Sequence, residues 1–569
     1  MNLRAQTIPA SRLSDWSRAG LTDSFAAVKS ISILNFSADI SGVISCNKSL
    51  DSALLFLGAG EGEVYFPAGN YYFDKSVILP TGKRLKGEGA GSTILKFDLK
   101  GQQNCITISG SKSTENSALT LPAKRFQKQI TVADVSGFNA GDHILITHND
   151  SSLIFSDWAL GTVAQVVKIS AVSGNVISLE DALRKDFLLN LKPAIRKLNM
   201  ISHCSIECLK IKRLDSSAGQ TSTIALSYAD NCRIKGIETE NCNFAHIELN
   251  ASTHCTISQS YFHHAFAYGG NGQGYGIAMQ VSSGDNLITD NIFNHLRHGM
   301  LFQSGANGNV SSYNFSTEPN WTSTPSNSAG DIVLHGNYPH SNLFEGNIVQ
   351  NIIIDNSHGL NGPHNVFFRN RAELFGIIMT TANADSTVFI GNEVNNKSFP
   401  YGMFTLQGKG NFSYANNVKG SVTPAGNSSI TDSSLYLLSR PNSWSIKSPW
   451  PSVGYPDISL KGLNPASARW SDSVSRSYCY NPHPYYNTAI SSLFFDASLI
   501  IYPNPSSDIL YISNSGFENR KGSLINSVGQ IVWEGNINAG FNKINLFSFP
   551  EGLYFFVSER VSKPIIICR

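Results

Sequence analysis

The spacing of its asparagines constrains this chain more than any other feature. One local pattern, polar–Asn–apolar followed by a second Asn–apolar pair, recurs in Asp285-Asn-Leu-Ile-Thr-Asp-Asn-Ile-Phe293, Gly308-Asn-Val-Ser-Ser-Tyr-Asn-Phe315 and Ser341-Asn-Leu-Phe-Glu-Gly-Asn-Ile348. Taking its second position as anchor gives Asn231, His254, Asn286, Asn309, Asn342, Asn365, Thr387 and Asn411, separated by 23, 32, 23, 33, 23, 22 and 24 residues. A second Asn keeps phase at Asn291, Asn314, Asn347, Asn370, Asn392 and Asn416. A period near 23 built from short β-type runs predicts coils of about three strands, each pairing in parallel with the next. Equivalent residues then stack at about 4.8 Å. Stacked Asn amides can pair along the column while satisfying turn backbone. The expectation is an all-β chain, a parallel β-helix.

Composition agrees and excludes other classes. Charged residues are only 15% of 569, and Lys+Arg 43 against Asp+Glu 41 leaves +2, giving no electrostatic case for nucleic acid or an anionic membrane. Hydrophobic residues at 41% supply a core, and no apolar run reaches the roughly 18 residues of a membrane span. Cys204, Cys232 and Cys255 fall at matching places in the repeat and read as buried thiols. Cys204 and Cys208 lack a second close pair, so no zinc site is expected. The segment Met1–Ala10 has no apolar export-signal stretch, and the expectation is that this chain begins after such a signal or at a wrong start.

Gly62-Glu-Val-Tyr-Phe-Pro-Ala-Gly69, Ile78-Leu-Pro and Leu85-Lys-Gly-Glu-Gly-Ala-Gly-Ser-Thr-Ile-Leu95 resemble the opening coils of the pectate-lyase-like superfamily. That resemblance, spanning roughly residues 45 to 425, implies a right-handed helix whose open end is capped by a short α-helix near Asp51–Leu57. Its members include lyases, hydrolases, epimerases and adhesins, so it is specific for fold and not for activity. Ile500-Ile-Tyr-Pro-Asn-Pro-Ser506, the turn at Gly529-Gln-Ile-Val and Pro550-Glu-Gly-Leu-Tyr554 resemble the C-terminal sorting domain of bacterial type IX secretion cargo. The alternating pattern there predicts a small β-sandwich. The resulting boundaries are an N-terminal region 1–60, a parallel β-helix 61–425, a Ser/Pro/Trp-rich tail 426–497 packing on or linking from it, and a sorting sandwich 498–569. Gln127–Phe187 reads as β-rich coils with insertions.

Two intervals, starting at His254 and Asn309, are about ten residues longer than the others. Their additions, Ala267–Tyr275 and a run around Glu318–Gly330 containing Trp321, leave the coil at a similar phase and should wall one groove. Nine of 14 histidines lie between His254 and His364. His263, His295 and Glu318 each follow an anchor by nine residues and should sit on neighbouring coils. Gln280 and Gln303 are 23 apart, with His335 next in their column and Asp331 beside Gly276 and Gly299. The candidate catalytic residues are His263, His295, Arg297, His298, Asp331 and His335. The candidate substrate-binding residues are Tyr268, Tyr275, Gln280, Gln303, Glu318, Trp321 and His358. Any single histidine can instead be structural, and His254 reads as replacing an anchor Asn.

Three readings follow. A lyase acting on a uronic-acid polymer needs a base, a cation on the carboxylate and an acid at the leaving oxygen; a histidine, Arg297 and Tyr275 or a second histidine fit those roles. A glycoside hydrolase needs two carboxylates, about 5 Å or roughly 6.5–9.5 Å apart, from Glu318, Asp331, Glu345 and Asp355. A non-catalytic surface protein would bind glycans through Tyr268, Tyr275 and Trp321. The family resemblance implies calcium in many lyases, but the acidic cluster that would hold it is not visible, so neither cofactor nor metal is expected. The expected partners are a polysaccharide and, through residues 498–569, the type IX secretion machinery, for a protein secreted or held at the cell surface.

Overall fold

The computed structural model describes residues 7–269, 272–320, 329–426, 429–441, 444, 450–451, 453–454, 462–472, 475–479, 499–503, 506–514, 519–526, 529–558 and 561–568. It divides into two compact units, Met1–Asn481 and Pro482–Arg569. Among the described residues no helix is long and apolar enough to cross a membrane.

The first unit is a right-handed parallel β-helix. One column of strands forms a 12-stranded sheet running from Ser30–Ser32 through Gly62–Phe66 and Lys83–Gly87 to Phe412–Tyr414. A second and a third column merge into a 21-stranded sheet because the longer strands Ile348–Ile354 and Arg371–Met379 run through both. Alternate side chains point inward, where Ile277, Met279, Met300, Phe302, Ile332 and Leu334 are all but inaccessible. Equivalent aromatics stack coil on coil: Phe344, Phe367 and Phe389 have ring centroids 4.7 and 5.1 Å apart and nearly parallel planes. Each fully buried ring contributes about 1.5–3 kcal/mol of apolar burial.

The asparagine columns line up. Asn309 Oδ1 accepts from both Asn286 N (3.1 Å) and Asn286 Nδ2 (2.9 Å), while Asn286 Nδ2 also donates to Ser252 O. The same three bonds recur from Asn309 to Asn342, and from Asn291 through Asn314, Asn347 and Asn370 to Asn392. Every turn amide along these columns therefore has a partner although no water reaches it.

Asn231 and His254 do not belong to this ladder. Strand register pairs Arg233 with Thr256 and Thr256 with Leu287, so Cys232 and Cys255 occupy the ladder position. Cys255 N donates to Asn286 Oδ1 at 3.0 Å. Asn231 and His254 stand one residue earlier, at a left-handed corner (φ 49° and 51°) shared by Asp285, Ser341 and His364. Asn, Asp and His tolerate that backbone, so an asparagine there mimics the ladder residue in sequence. There they grip the N-terminal segment: Asn231 Oδ1 accepts from Thr22 N and Asp23 N, and His254 Nδ1 donates to Arg18 O.

The coils begin earlier than residue 61, since Ser30–Ser32 already pairs with Glu63–Tyr65. The capping helix spans Asn47–Leu57 and buries Leu50 and Ala53 in the core. Residues 111–199, including the stretch expected as coils, form one insertion instead. Its six strands make an antiparallel sheet with a separate core around Ile130, Val132, Ile144, Val167 and Phe187. The helix closes beneath it, with Ser205–Glu207 pairing directly with Arg84–Lys86. Alternating apolar residues fit either fold, which is why the sequence did not separate them.

The described tail runs back along the helix. The helix Pro465–Asp472 seats Ala466 and Trp470 against Tyr261, Ile292, Phe315 and Ile348, and a disulfide joins Cys208 to Cys479. Those two cysteines are thus not free core thiols, whereas Cys204, Cys232 and Cys255 are. The second unit stacks a three-stranded and a four-stranded antiparallel sheet over Leu510, Ile512, Leu524 and Phe556.

Candidate functional site

The outward side of the third column carries the clearest arrangement of reactive groups. Its strands Ala245–Asn250, Tyr275–Gln280, His298–Phe302 and Ile332–Leu334 continue into Ile348–Ile354. Because Ile277, Met300, Ile332 and Ile352 point inward, alternation turns Ala278, Leu301, Val333 and Ile353 outward as a buried apolar strip. Tyr275 and His298, paired in register, border one side of it. Asn250, Gln280, Gln303, His335 and Asp355 border the other.

That last row is joined by hydrogen bonds. Asn250 Nδ2 and Gln280 Nε2 donate to Glu248 Oε1 at 2.8 and 2.9 Å, and Gln303 Nε2 donates to Gln280 Oε1 at 2.6 Å. His335 Nδ1 lies 2.7 Å from Asp355 Oδ2, and Ser357 N donates to the other carboxylate oxygen at 3.0 Å. Burial pushes the Asp355 carboxyl upward, but the His335 charge and hydrogen bond outweigh it and hold it below its ordinary range. When His335 is neutral, an ionised Asp355 holds its proton on Nδ1 and makes Nε2 the lone-pair acceptor.

Imidazoles extend from this pair in two directions. The His335 ring centroid is 5.4 Å from that of His298 and 5.1 Å from that of His358; His298 is 4.9 Å from Tyr275. His298 Nδ1 donates to Gly330 O at 3.1 Å, and burial drives its pKa down to about 3, so it is neutral at physiological pH. Its Nε2 has no hydrogen-bond partner among the described residues. Burial raises the Tyr275 phenol, keeping it protonated, and the Arg297 guanidinium sits 5.9 Å from the centre of its ring.

The remaining candidates are elsewhere. Both long excursions leave at the corner between the second and third columns. His263 points outward on the second column, pairs in register with Asn294, stacks on Tyr261 and approaches Glu238 to 3.1 Å. It is His264, one residue on, that neighbours His295, with centroids 5.1 Å apart. His264, His295 and Glu318 all occupy left-handed corner positions, so the expected alignment of His263 with His295 fails by one residue, following the misplaced His254 anchor. Tyr268 packs edge-on against His295, and Glu318 accepts from Asn294 Nδ2.

Asp331 follows Gly276 and Gly299 in register but turns inward. It accepts from Ser316 Oγ at 2.6 Å and from Gln350 N and Asn351 N at 2.9 and 2.8 Å, and burial lifts it to about 6. It is a structural bracket and not a group on the outer face. Glu345 is likewise enclosed, accepting from Tyr313 Oη and Leu435 N. Trp321 lies outside the described residues.

One wall was not foreseen at all. The inserted sheet sends a loop against the helix, where Ser156 Oγ meets His358 Nδ1 at 2.9 Å and Trp158 stands edge-on to His358 at 5.6 Å. Among the described residues, two acid–histidine groups lie close enough together to ligate a metal, Glu238–Glu240–His263 and Asp181–His254–Asp285. Each already holds cations: Lys210 bridges the first, and Arg18 and Arg184 pair with the second.

Residues 30–153 match the family model for rhamnogalacturonase A/epimerase, pectate lyase-like, and residues 500–566 match that for the secretion system C-terminal sorting domain. The parallel β-helix thus opens with a segment similar to the pectate-lyase-like family, and the second unit is similar to the sorting domain. No curated protein matches its sequence. Among solved structures it is similar to the tailspike gp61 of Pseudomonas phage phi297 (12% identity, 69% of this chain and 82% of that chain, TM-score 0.38). It is also similar to PfbA, a surface adhesin of Streptococcus pneumoniae (12%, 65% and 80%, 0.37), and to an iota-carrageenase complexed to iota-carrageenan fragments (9%, 68% and 60%, 0.30).

Proposed function

We propose that this protein is an exported enzyme that cleaves a uronic-acid polysaccharide by β-elimination on the outer face of the third column. The observation that carries the reading is the 2.7 Å contact between His335 Nδ1 and Asp355 Oδ2. It leaves Nε2 to take the proton next to the sugar carboxylate, while Arg297 neutralises that carboxylate and Tyr275, kept protonated by burial, serves the leaving oxygen. Hydrolysis is less well supported. Glu248 and Asp355 share this outer face but stand four coils apart, roughly 19 Å along the ladder, well beyond the roughly 6.5–9.5 Å an inverting pair requires. Export through the type IX machinery, by way of the matched segment 500–566, is part of the same reading.

The test is incubation with polygalacturonate, alginate and glucuronan while following ultraviolet absorbance of unsaturated ends. The expected result is absorbance with one polymer and its loss in His335→Asn. Reducing ends without absorbance would make the protein a hydrolase, and glycan binding without turnover would make it an adhesin.

A further inference from the structure

The inserted sheet carries an apolar surface that the three readings do not use. In the loop 150–163, Phe155 is 70% exposed, Trp158 56% and Leu160 52%, beside Leu360 at 53%. Large apolar side chains left in water on a loop normally accompany disorder or a partner. This loop is firmly held instead. Asp150 accepts from Gly161 N and Val163 N, both at 2.9 Å, closing the loop on itself. Asn337, fully buried on the helix, accepts from Phe155 N and Ser156 N at 3.0 and 3.1 Å. Ser282 Oγ donates to Thr162 O at 2.6 Å and Asn307 Nδ2 to Ala164 O at 3.0 Å. Gly359 (φ +77°) gives Phe155 room, since a Cβ there would lie 2.6 Å from Phe155 Cβ. The backbone is fixed by the helix while the rings remain in solvent.

The geometry points to Phe155 and Trp158 as a stacking subsite for a pyranose ring of the polysaccharide, adjoining the site of cleavage. Continuity supplies the occupant. Trp158 touches His358, and His358 touches His335, in ring steps of 5.6 and 5.1 Å, so a chain lying over His335 passes along the same row. Sugar faces present C–H groups that pack on aromatic planes, and a platform ordered before binding loses little entropy on contact. The subsite sits on an element absent from the coils themselves, so the insertion sets which chain lengths bind well. This inference rests on the glycan-binding part of the proposed function and not on the elimination chemistry.

The experiment measures binding of galacturonate, mannuronate and glucuronate oligomers of two and six residues by calorimetry, alongside product formation. Three variants are compared with the unmodified protein: Trp158→Ala, Trp158→Phe and His335→Asn. The expected outcome is that Trp158→Ala weakens hexamer binding at least about tenfold and dimer binding far less. Trp158→Phe should recover most of the loss, and His335→Asn should bind normally. Unaltered hexamer affinity in Trp158→Ala overturns the subsite while leaving the lyase reading intact. Binding without turnover overturns the lyase reading while the subsite stands. No binding of any oligomer by the unmodified protein overturns the subsite.

Discussion

His335 and Asp355, 20 residues apart in the chain, meet on adjacent coils with Nδ1 and Oδ2 2.7 Å apart. A carboxylate in that position selects one tautomer of the ring and stabilises the imidazolium that forms when Nε2 takes a proton. Asp355→Asn keeps the shape and removes both effects. Turnover of the polymer should fall by roughly 10²–10⁴-fold with little change in KM. Steady-state kinetics of unsaturated-product formation checks this; an unchanged rate constant would remove Asp355 from the mechanism.

How far this site was legible follows from what repeats. Gln280, Gln303 and His335 were found because a residue 23 positions on, or 23 plus a loop, must stack, and strand register places them in one row. Asp355 was visible only as an available acid, since its coil is shortened where Ile348–Ile354 runs straight through two columns. The slip at His263 arose where Cys232 and Cys255 replace ladder asparagines: a thiol looks apolar in sequence, and the asparagine or histidine beside it, present for its left-handed backbone, drew the alignment one residue off. In a strand, one residue is the difference between two faces. The Phe155–Trp158 wall carried no signal, because alternating strands look alike whether they pair in parallel or antiparallel.

The ladder itself is testable at Asn314. Its Oδ1 accepts from Asn291 N and Nδ2, and its Nδ2 donates to Ile288 O and Asn347 Oδ1, all between 3.0 and 3.1 Å and without exposure to solvent. Asn314→Ala leaves a buried N–H and a buried carbonyl unsatisfied, each at about 1–3 kcal/mol. Chemical denaturation should show a loss of about 2–5 kcal/mol. Asn314→Asp keeps the acceptor but loses the donor, so it should also destabilise, most strongly at neutral pH where a buried charge forms.

His254 should make stability depend on pH in a direction opposite to a typical carboxylate. Its environment comprises Asp181, Asp230 and Asp285 with Arg18, Arg184 and His143. Burial disfavours its charge, but the Asp181 carboxylate 3.6 Å from Nε2, with Asp285 and Asp230, prevails and pushes it up to about 9. The unfolded value is about 6.5. A pKa raised by folding gives stability that is complete below pH about 6.5 and is lost as pH climbs through about 9. Lys185, lowered by burial to about 8, acts with the opposite sign. The difference in unfolding free energy between the unmodified protein and His254→Gln therefore isolates the effect. That difference should be largest near pH 6 and shrink by pH 10; a constant difference would show that folding leaves the His254 pKa unshifted.

The disulfide between Cys208 and Cys479 spans 271 residues and fastens the tail across the second column. Packing holds the same segment: Trp470 lies on Tyr261 and Phe315, and the Arg476 guanidinium sits 3.8 Å from the Trp470 ring centre. Arg469 binds both the side chain and the backbone carbonyl of Asp290. The crosslink constrains the unfolded chain, and its removal should lower stability by about 2–5 kcal/mol. Cys479→Ser should also let the end of the tail open while the ion pair and ring contacts keep the helix Pro465–Asp472 docked. Limited proteolysis then distinguishes the two anchors: cutting confined to residues 475–479 leaves packing as the hold on the helix, whereas cutting within 465–472 makes the disulfide the principal fastening. The elimination proposed at His335 should be unaffected in either case, because the tail covers Tyr261 on the second column and His335 stands on the third.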